Sequence, residues 1–282
     1  MKIYDDRITR FMQAPHWSAS ACNKPADIWA FQYLHLRERR KTLESNARMT
    51  FGIATQMGAD AMVLEGEPID EAVRHAMTRV DRHTPRSYDL ERDTKALEHY
   101  RDILADVIQH AANGVKEALE GSNKIEGEGK PLWVDFEGVE LPFMAFPDYQ
   151  GVRVCELKTK WPSITKTKKG ESWRTNSLPK IPTYVHVQQV ALYAYATNKS
   201  PTLVYANALG YIVFNEENCE ELSPAACTAA LRRLTGSAKA REALMRAADD
   251  REHLFQMIEP DFSSFYWDLS PEMLEEAREV WR

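Results

Sequence analysis

The feature that most constrains the fold is a run of strand-forming residues in the middle of the chain. Residues 131–160 read PLWVDFEGVELPFMAFPDYQGVRVCELKTK and are dense in valine, phenylalanine, leucine and tryptophan. Such residues favour β-strands, and turn signals at Glu137-Gly138 and Gln150-Gly151 divide the run. We predict three short strands here, at about 132–137, 139–146 and 152–158.

Helical patterns lie on both sides of these strands. A long helix from about 90 to 119 is predicted by apolar residues at helical spacing, namely Leu97, Leu104, Ile108, Ala111 and Val115. Residues 184–198, YVHVQQVALYAYATN, predict a second helix, and TLVYANA and GYIVFN predict two more strands. The order helix, three strands, helix, two strands predicts an α/β fold with a central mixed sheet flanked by helices.

The length of 282 residues favours one domain with a substantial core. We divide it into an N-terminal helical part at about 1–125, a core at about 130–215 and C-terminal helices at about 223–282. No apolar stretch is long enough to span a membrane, and the first residues lack the apolar core of a signal peptide, so we expect a soluble intracellular protein. The net charge of −6 means that contacts with nucleic acid must come from locally concentrated cations.

The candidate chemistry lies at the end of the strand-rich run. Glu156 and Lys158 are two residues apart on a predicted strand, so their side chains share a face while Leu157 points into the core. The short Gln150-Gly151 connection brings Asp148 beside Glu156. Two adjacent carboxylates require a cation between them, and oxygen ligands favour Mg²⁺ or Mn²⁺. The alternative is an ordinary surface ion pair between Glu156 and Lys158, because short patterns of this kind arise by chance.

The next helix makes the pattern more specific. Gln189 and Tyr193 are four residues apart and therefore share a face. FPDYQGVRVCELKTK followed by VQQVALYAYA resembles the PD-(D/E)xK nucleases, specifically the RecB-like branch that includes phage exonucleases and mitochondrial genome maintenance exonucleases. The resemblance covers about residues 130–215 and implies a restriction-endonuclease-like core.

The resemblance also implies roles for individual residues. Asp148, Glu156 and the Leu157 carbonyl would bind the metal ion, Lys158 would be the catalytic lysine, and Gln189 and Tyr193 would organise the site. The branch carries a GxxxH motif on an earlier helix, and here Gly52 is followed by Gln56 where histidine is usual. Gln56 is therefore a candidate contact to the metal ion, and whether a second metal ion binds stays open. Asp60, one turn further on, is an alternative ligand or an ordinary surface acid.

A polar segment between the two motifs concentrates positive charge. We predict that residues 159–182 form a loop, a mobile flap that binds DNA through Lys160, Lys166, Lys168, Lys169, Arg174 and Lys180, with Trp161 and Trp173 stacking on exposed bases. The alternative is a merely solvated loop. His186 shares a helical face with Gln189, and it either contacts a phosphate group when protonated or has a structural role.

Three functions remain open at this point. The leading one is a DNA exonuclease, Mg²⁺-dependent, serving recombination, replication or repair in the cytoplasm of a bacterial or phage-infected cell, on single strands or duplex ends. A single-strand annealing or binding protein is a further expected partner. The alternatives are a structure-specific or restriction-type endonuclease and a non-catalytic nucleic-acid-binding module. Some relatives hold an iron–sulfur cluster through cysteines, but Cys22, Cys155, Cys219 and Cys227 do not match that pattern, and we expect none.

Overall fold

The computed structural model describes residues 4–12, 15–43, 45–167 and 170–282, except for the side chains of Ser87, Lys166 and Thr167. Its helices are α1 (Asp6–Thr9), α2 (Ala19–Cys22), α3 (Ala26–Trp29), α4 (Ala47–Asp60), α5 (Ile69–Val80), α6 (Leu90–Ala118), α7 (Tyr184–Thr197), α8 (Pro224–Ala247), α9 (Arg251–Gln256) and α10 (Pro271–Val280). Wider π-helical turns extend α3 over Ala30–Leu36 and α4 over Ala61–Glu65.

The strands are β1 (Leu132–Val134), β2 (Phe143–Ala145), β3 (Tyr149–Gln150), β4 (Val154–Thr159), β5 (Ser163–Thr167), β6 (Gly170–Arg174), β7 (Pro201–Asn207) and β8 (Gly210–Asn215). About 53% of the chain is helical, and mixed sheets are flanked by helices, so the fold class is α/β. Within the described part of the chain, no helix combines the length and apolar character that a membrane span requires.

Two compact units make up the chain. The first contains Met1–Glu44, Pro131–Ala145 and Ala229–Arg282, and the second contains Ser45–Lys130 and Phe146–Thr228. In the first unit, Phe31, Trp267 and Trp281 pack their rings together with centroids 5.4–6.4 Å apart. These rings form an apolar core of this unit, with Ile28 and Leu36.

The first two strands of the strand-rich run belong to this first unit. β1 and β2 pair with each other in antiparallel register, Val134 opposite Phe143. The other edge of β2 is hydrogen-bonded to the N-terminal segment: Trp17 N donates to Pro142 O, and Met144 N donates to Trp17 O. Their pairing partners are thus one another and Trp17, and the prediction that they join one sheet with the third strand is wrong.

The second unit is built on a four-stranded sheet in the order β3-β4-β7-β8. β4 and β7 are parallel, and both outer pairs are antiparallel. Leu157 and Val204 belong to the apolar core that α4, α5 and α6 build on one face of the sheet. Successive residues of a strand point to opposite faces, so Glu156 and Lys158 point to the other face, where α7 lies.

The helices and strands predicted around the site are found close to their expected bounds. α6, α7, β4, β7 and β8 each begin and end within a few residues of the prediction. The predicted loop at 159–182 is only partly a loop, because β5 and β6 form an antiparallel hairpin within it, with Ile164 opposite Trp173. Lys95 of α6 bonds to Glu171 of the hairpin at 3.0 Å, so this segment is held by a neighbouring helix as well as by its own ladder.

Candidate active site

A tight hairpin brings Asp148 and Glu156 together. Tyr149 pairs with Cys155 across β3 and β4. Asp148 directly precedes Tyr149 and Glu156 directly follows Cys155, so the two acids lie side by side. Asp148 Oδ2 accepts a hydrogen bond from Leu157 N at 2.8 Å. Burial and the negative charge of Glu156 hold the pKa of Asp148 well above its usual value. The sequence prediction that these carboxylates are neighbours is therefore met by the geometry.

Lys158 is the cation that faces both acids. Its Nζ donates to Glu156 Oε1, and its side chain is 26% exposed while that of Glu156 is 1% exposed. Burial alone would lower the pKa of Lys158, but the charges of Glu156 and Asp148 and the hydrogen bond to Glu156 outweigh burial and raise it. Lys158 is consequently positively charged at neutral pH and acts as a donor.

One oxygen of the pair is left without a partner. Glu156 Oε2 is fully buried and makes no hydrogen bond to any described residue. A buried carboxylate oxygen without a donor is costly, and Lys158 supplies one positive charge against two acids. The donor set, two carboxylates with an unsatisfied oxygen, fits a hard divalent cation.

Gln56 lies beside Asp148. Its Nε2 is 3.4 Å from Asp148 Oδ1, a long hydrogen bond that α4 provides from one turn before its end. In this orientation the amide nitrogen faces the acid, and the amide must rotate to present its oxygen to a cation. Asp60 instead lies beside Tyr149, and burial raises its pKa. Asp60 is thus a half-buried acid rather than an exposed one, and it makes no hydrogen bond or ion pair with Asp148 or Glu156.

Gln189 and Tyr193 form a pair on α7. Gln189 Nε2 donates to the Tyr193 hydroxyl at 2.7 Å. Burial, and next the charge of Glu156, raise the pKa of Tyr193, so the phenol stays protonated and lies within electrostatic reach of Glu156. The pair shares a helix face, as its four-residue spacing predicted, and Tyr193 interacts electrostatically with both acids.

The structure describes the side chains of only some of the cations predicted to bind DNA. Lys160 Nζ lies 5.7 Å from the centre of the Tyr205 ring, directly after β4. Arg174 and Lys180 are exposed. The remaining predicted cations stay predictions, because Lys168 and Lys169 lie outside the described residues, as does the side chain of Lys166.

The two tryptophans of this segment pack against the protein. Trp161 is 3% exposed, with its ring 5.1 Å from that of Phe51 and 4.9 Å from that of Tyr100. Trp173 is half-buried and stacks on His99 at 4.3 Å. The expectation that Trp161 stacks on bases is corrected, since its ring is enclosed in the core, and Trp173 presents only part of its ring to solvent.

Tyr205 is a member of the site that the sequence did not single out. It lies opposite Lys158 in the β4-β7 register, and its hydroxyl is 2.7 Å from His186 Nδ1. Burial, with the positive charges of Lys158 and Lys160, lowers the pKa of His186 to about 3. His186 is therefore neutral at physiological pH, contrary to the protonated form considered above. Only the β4-β7 pairing brings Tyr205 here, and that pairing has no local sequence signal.

A separate cluster of metal-ligand types occurs in the second unit. One ligand atom each of Glu65, Glu67 and His75 lie within 4.8 Å of one another. His75 Nδ1 is 3.5 Å from Glu67 Oε2, and Glu65 is exposed. These three residues are a second possible set of metal ligands, which the sequence analysis did not identify.

Comparisons with known proteins add little to this geometry. No protein-family model and no curated protein matches the chain. Among solved structures, the crystal structure of SSO0001 resembles it at 15% identity and a TM-score of 0.28, covering 59% of this chain and 79% of that one. A likeness this distant supports no statement about fold family or activity.

Proposed function

We propose that the chain is a metal-dependent nuclease of the PD-(D/E)xK superfamily with a restriction-endonuclease-like core. One observation carries the proposal: Asp148, Glu156 and Lys158 converge on one spot, where Glu156 Oε2 is buried without a donor. A structural ion pair needs only one acid and one base. The second acid and the free oxygen are the features that a metal site requires.

The residues divide the chemistry between them. Asp148, Glu156 and the Leu157 carbonyl would hold Mg²⁺ or Mn²⁺, which when bound polarises a phosphoryl oxygen and lowers the pKa of a water molecule. Lys158, charged and fixed by Glu156, orients the attacking water and stabilises the negative charge that develops on the phosphate. Tyr193 holds Gln189 at the rim of the site, where the Gln189 side chain can position substrate.

The substrate that we propose is DNA, attacked from an end. The choice of DNA and of ends rests on the resemblance to the RecB-like branch. The alternative, a structure-specific or restriction-type endonuclease, uses the same residues. A non-catalytic binding module is disfavoured because a protein that only binds needs neither the second acid nor a charged lysine beside the acids.

The decisive experiment compares linear and covalently closed circular DNA in Mg²⁺ and in EDTA. We expect Mg²⁺-dependent loss of linear DNA only, and Lys158→Ala is expected to reduce the rate by about a thousandfold or more while DNA binding is largely retained. Lys116→Ala, at an exposed position of α6, is the matched control. Loss of closed circles would indicate an endonuclease, and undiminished cleavage by Lys158→Ala would refute the site.

A further inference from the structure

A group of potential hydrogen-bond donors lies beside the two acids. It consists of Lys158 at one end of β4, Lys160 directly after that strand, and His186 in the first turn of α7. Tyr205 of β7 stands among them: it is opposite Lys158 in the sheet, its ring is near Lys160 Nζ, and its hydroxyl contacts His186. Lys158 is engaged by Glu156, whereas Lys160 and His186 make no bond to either acid in the described part of the site.

The hydrogen bonds around Tyr205 hold the imidazole ring of His186 in place. Thr183 N donates to the Tyr205 hydroxyl oxygen at 3.1 Å, and His186 Nδ1 lies 2.7 Å from the same oxygen. We assign the tautomer in which Tyr205 donates its proton to Nδ1. A neutral imidazole that accepts at Nδ1 carries its proton on Nε2. This Nε2–H has no recorded partner among the described residues, and it is not among the fully buried polar atoms without partners. Nε2 is therefore not fully buried, and it is available as a donor to a ligand.

We propose that His186 Nε2–H and the Lys160 ammonium form a binding subsite for a phosphate group of the substrate backbone, next to the phosphate that is cleaved. The inference rests on the proposed nuclease function and adds to it the requirement for a neighbouring charged phosphodiester. Tyr205 is the positioning residue, because it holds the imidazole through Nδ1 and lies beneath Lys160. A single donor of fixed protonation, paired with one cation, suits a nonbridging phosphate oxygen.

The ring's neutrality gives the subsite a distinctive pH behaviour. The groups that face His186 are Lys158 of β4, Lys160 directly after β4, and Tyr205 of β7. Both lysines disfavour a positive charge on the ring. The contribution of His186 to binding should therefore be the same at pH 5.5 and pH 8. A conventional histidine would become charged below about pH 6.5 and would bind phosphate more tightly in acid.

The test uses single-stranded DNA oligonucleotides that carry one uncharged methylphosphonate linkage, moved stepwise along the strand. Binding is measured by fluorescence anisotropy with Ca²⁺ in place of Mg²⁺. For the wild-type protein, we expect one linkage position other than the scissile one at which the substitution weakens binding about 10- to 100-fold. His186→Ala should weaken binding of the unmodified strand by a similar factor and become insensitive to the methylphosphonate at that position.

Three further variants separate a subsite from a general loss of structure. His186→Gln retains a donor near the position of Nε2 and should recover part of the affinity. Tyr205→Phe keeps the buried ring but removes the hydroxyl. It should reduce the contribution to binding of that same linkage and of no other. Lys116→Gln, an exposed lysine on α6, should change nothing.

The outcomes distinguish the subsite from the nuclease function itself. If the wild-type protein cleaves DNA but His186→Ala and His186→Gln keep full sensitivity to every methylphosphonate, the subsite is refuted and the nuclease stands. If the expected linkage pattern appears in Ca²⁺ but Mg²⁺ supports no cleavage, the proposed function fails and the subsite survives. Absence of any oligonucleotide binding by the wild-type protein would overturn both.

Discussion

Replacing Asp148 with asparagine is expected to stabilise the metal-free protein. Burial and the charge of Glu156 raise the pKa of Asp148 in the folded chain well above the value of 3.8 that it has when unperturbed. A group whose folded-state pKa is the higher one contributes its full stability below the unfolded-state pKa, and that contribution is lost as the pH rises through the folded-state pKa. Asparagine does not ionise, so the variant avoids this loss.

The size of the gain follows from the surroundings of the carboxylate. Single stabilising substitutions commonly add about 0.5–2 kcal/mol to the free energy of unfolding, and their recurrent cost is lost activity where the active site is destabilised. Asparagine keeps an oxygen that can accept the 2.8 Å hydrogen bond from Leu157 N. We therefore expect a gain of about 0.5–2 kcal/mol at pH 8 and nearly none at pH 4.

Urea denaturation in EDTA, followed by circular dichroism at both pH values, measures this difference. Mg²⁺ or Mn²⁺ should then stabilise the wild-type protein and leave Asp148→Asn unchanged. Asp106→Asn, at an exposed position of α6, controls for the loss of a negative charge elsewhere. A variant less stable than the wild-type protein at pH 8 without metal would show that Asp148 is a satisfied structural acid, and the reasoning for a metal site would fail.

Two further predictions concern packing. A Cβ atom at Gly114 of α6 would lie 2.6 Å from a Val204 side-chain carbon, whereas one at Gly236 of α8 would meet nothing within 4 Å. Gly114→Ala should therefore lower the free energy of unfolding by about 1–3 kcal/mol, and Gly236→Ala should raise it by up to about 1 kcal/mol. Urea denaturation measures both changes. Trp161→Ala should lower that free energy by about 3–5 kcal/mol, and oligonucleotide affinity per folded molecule should stay close to that of the wild-type protein. A selective loss of single-strand affinity with unchanged stability would return Trp161 to a base-stacking role.

The sequence was sufficient for features that depend on local periodicity. The two-residue spacing of Glu156 and Lys158 placed both on one strand face, and the four-residue spacing of Gln189 and Tyr193 placed both on one helix face. The short connection after Gln150 was enough to bring Asp148 to Glu156, because a hairpin of this length leaves the chain little freedom.

Long-range pairing was beyond local reasoning. β1 and β2 have the composition of central strands, yet they pair with each other, and β2 also pairs with Trp17, which lies 126 residues before its partner Phe143. The β5-β6 hairpin was missed because its polar residues hide the alternation that places Trp173 against α6. Tyr205 became visible only when β7 was found beside β4.

The protonation of His186 shows why composition alone misleads about charge. On its helix, His186 has the position of a cation that contacts phosphate. In the folded chain, burial and two nearby lysines keep it neutral. The charge of a group depends on the elements that the fold places around it. The sequence does not show which elements those are.

The most direct measurement is an anomalous-scattering map, recorded at the manganese edge, from crystals of the protein grown with Mn²⁺ and a short DNA strand. We predict a manganese peak between the side chains of Asp148 and Glu156, with a backbone phosphate of the strand against it. A peak confined to Glu65, Glu67 and His75, or none beside Asp148 and Glu156 with DNA bound, would contradict the assignment of this site as the catalytic centre of a metal-dependent nuclease.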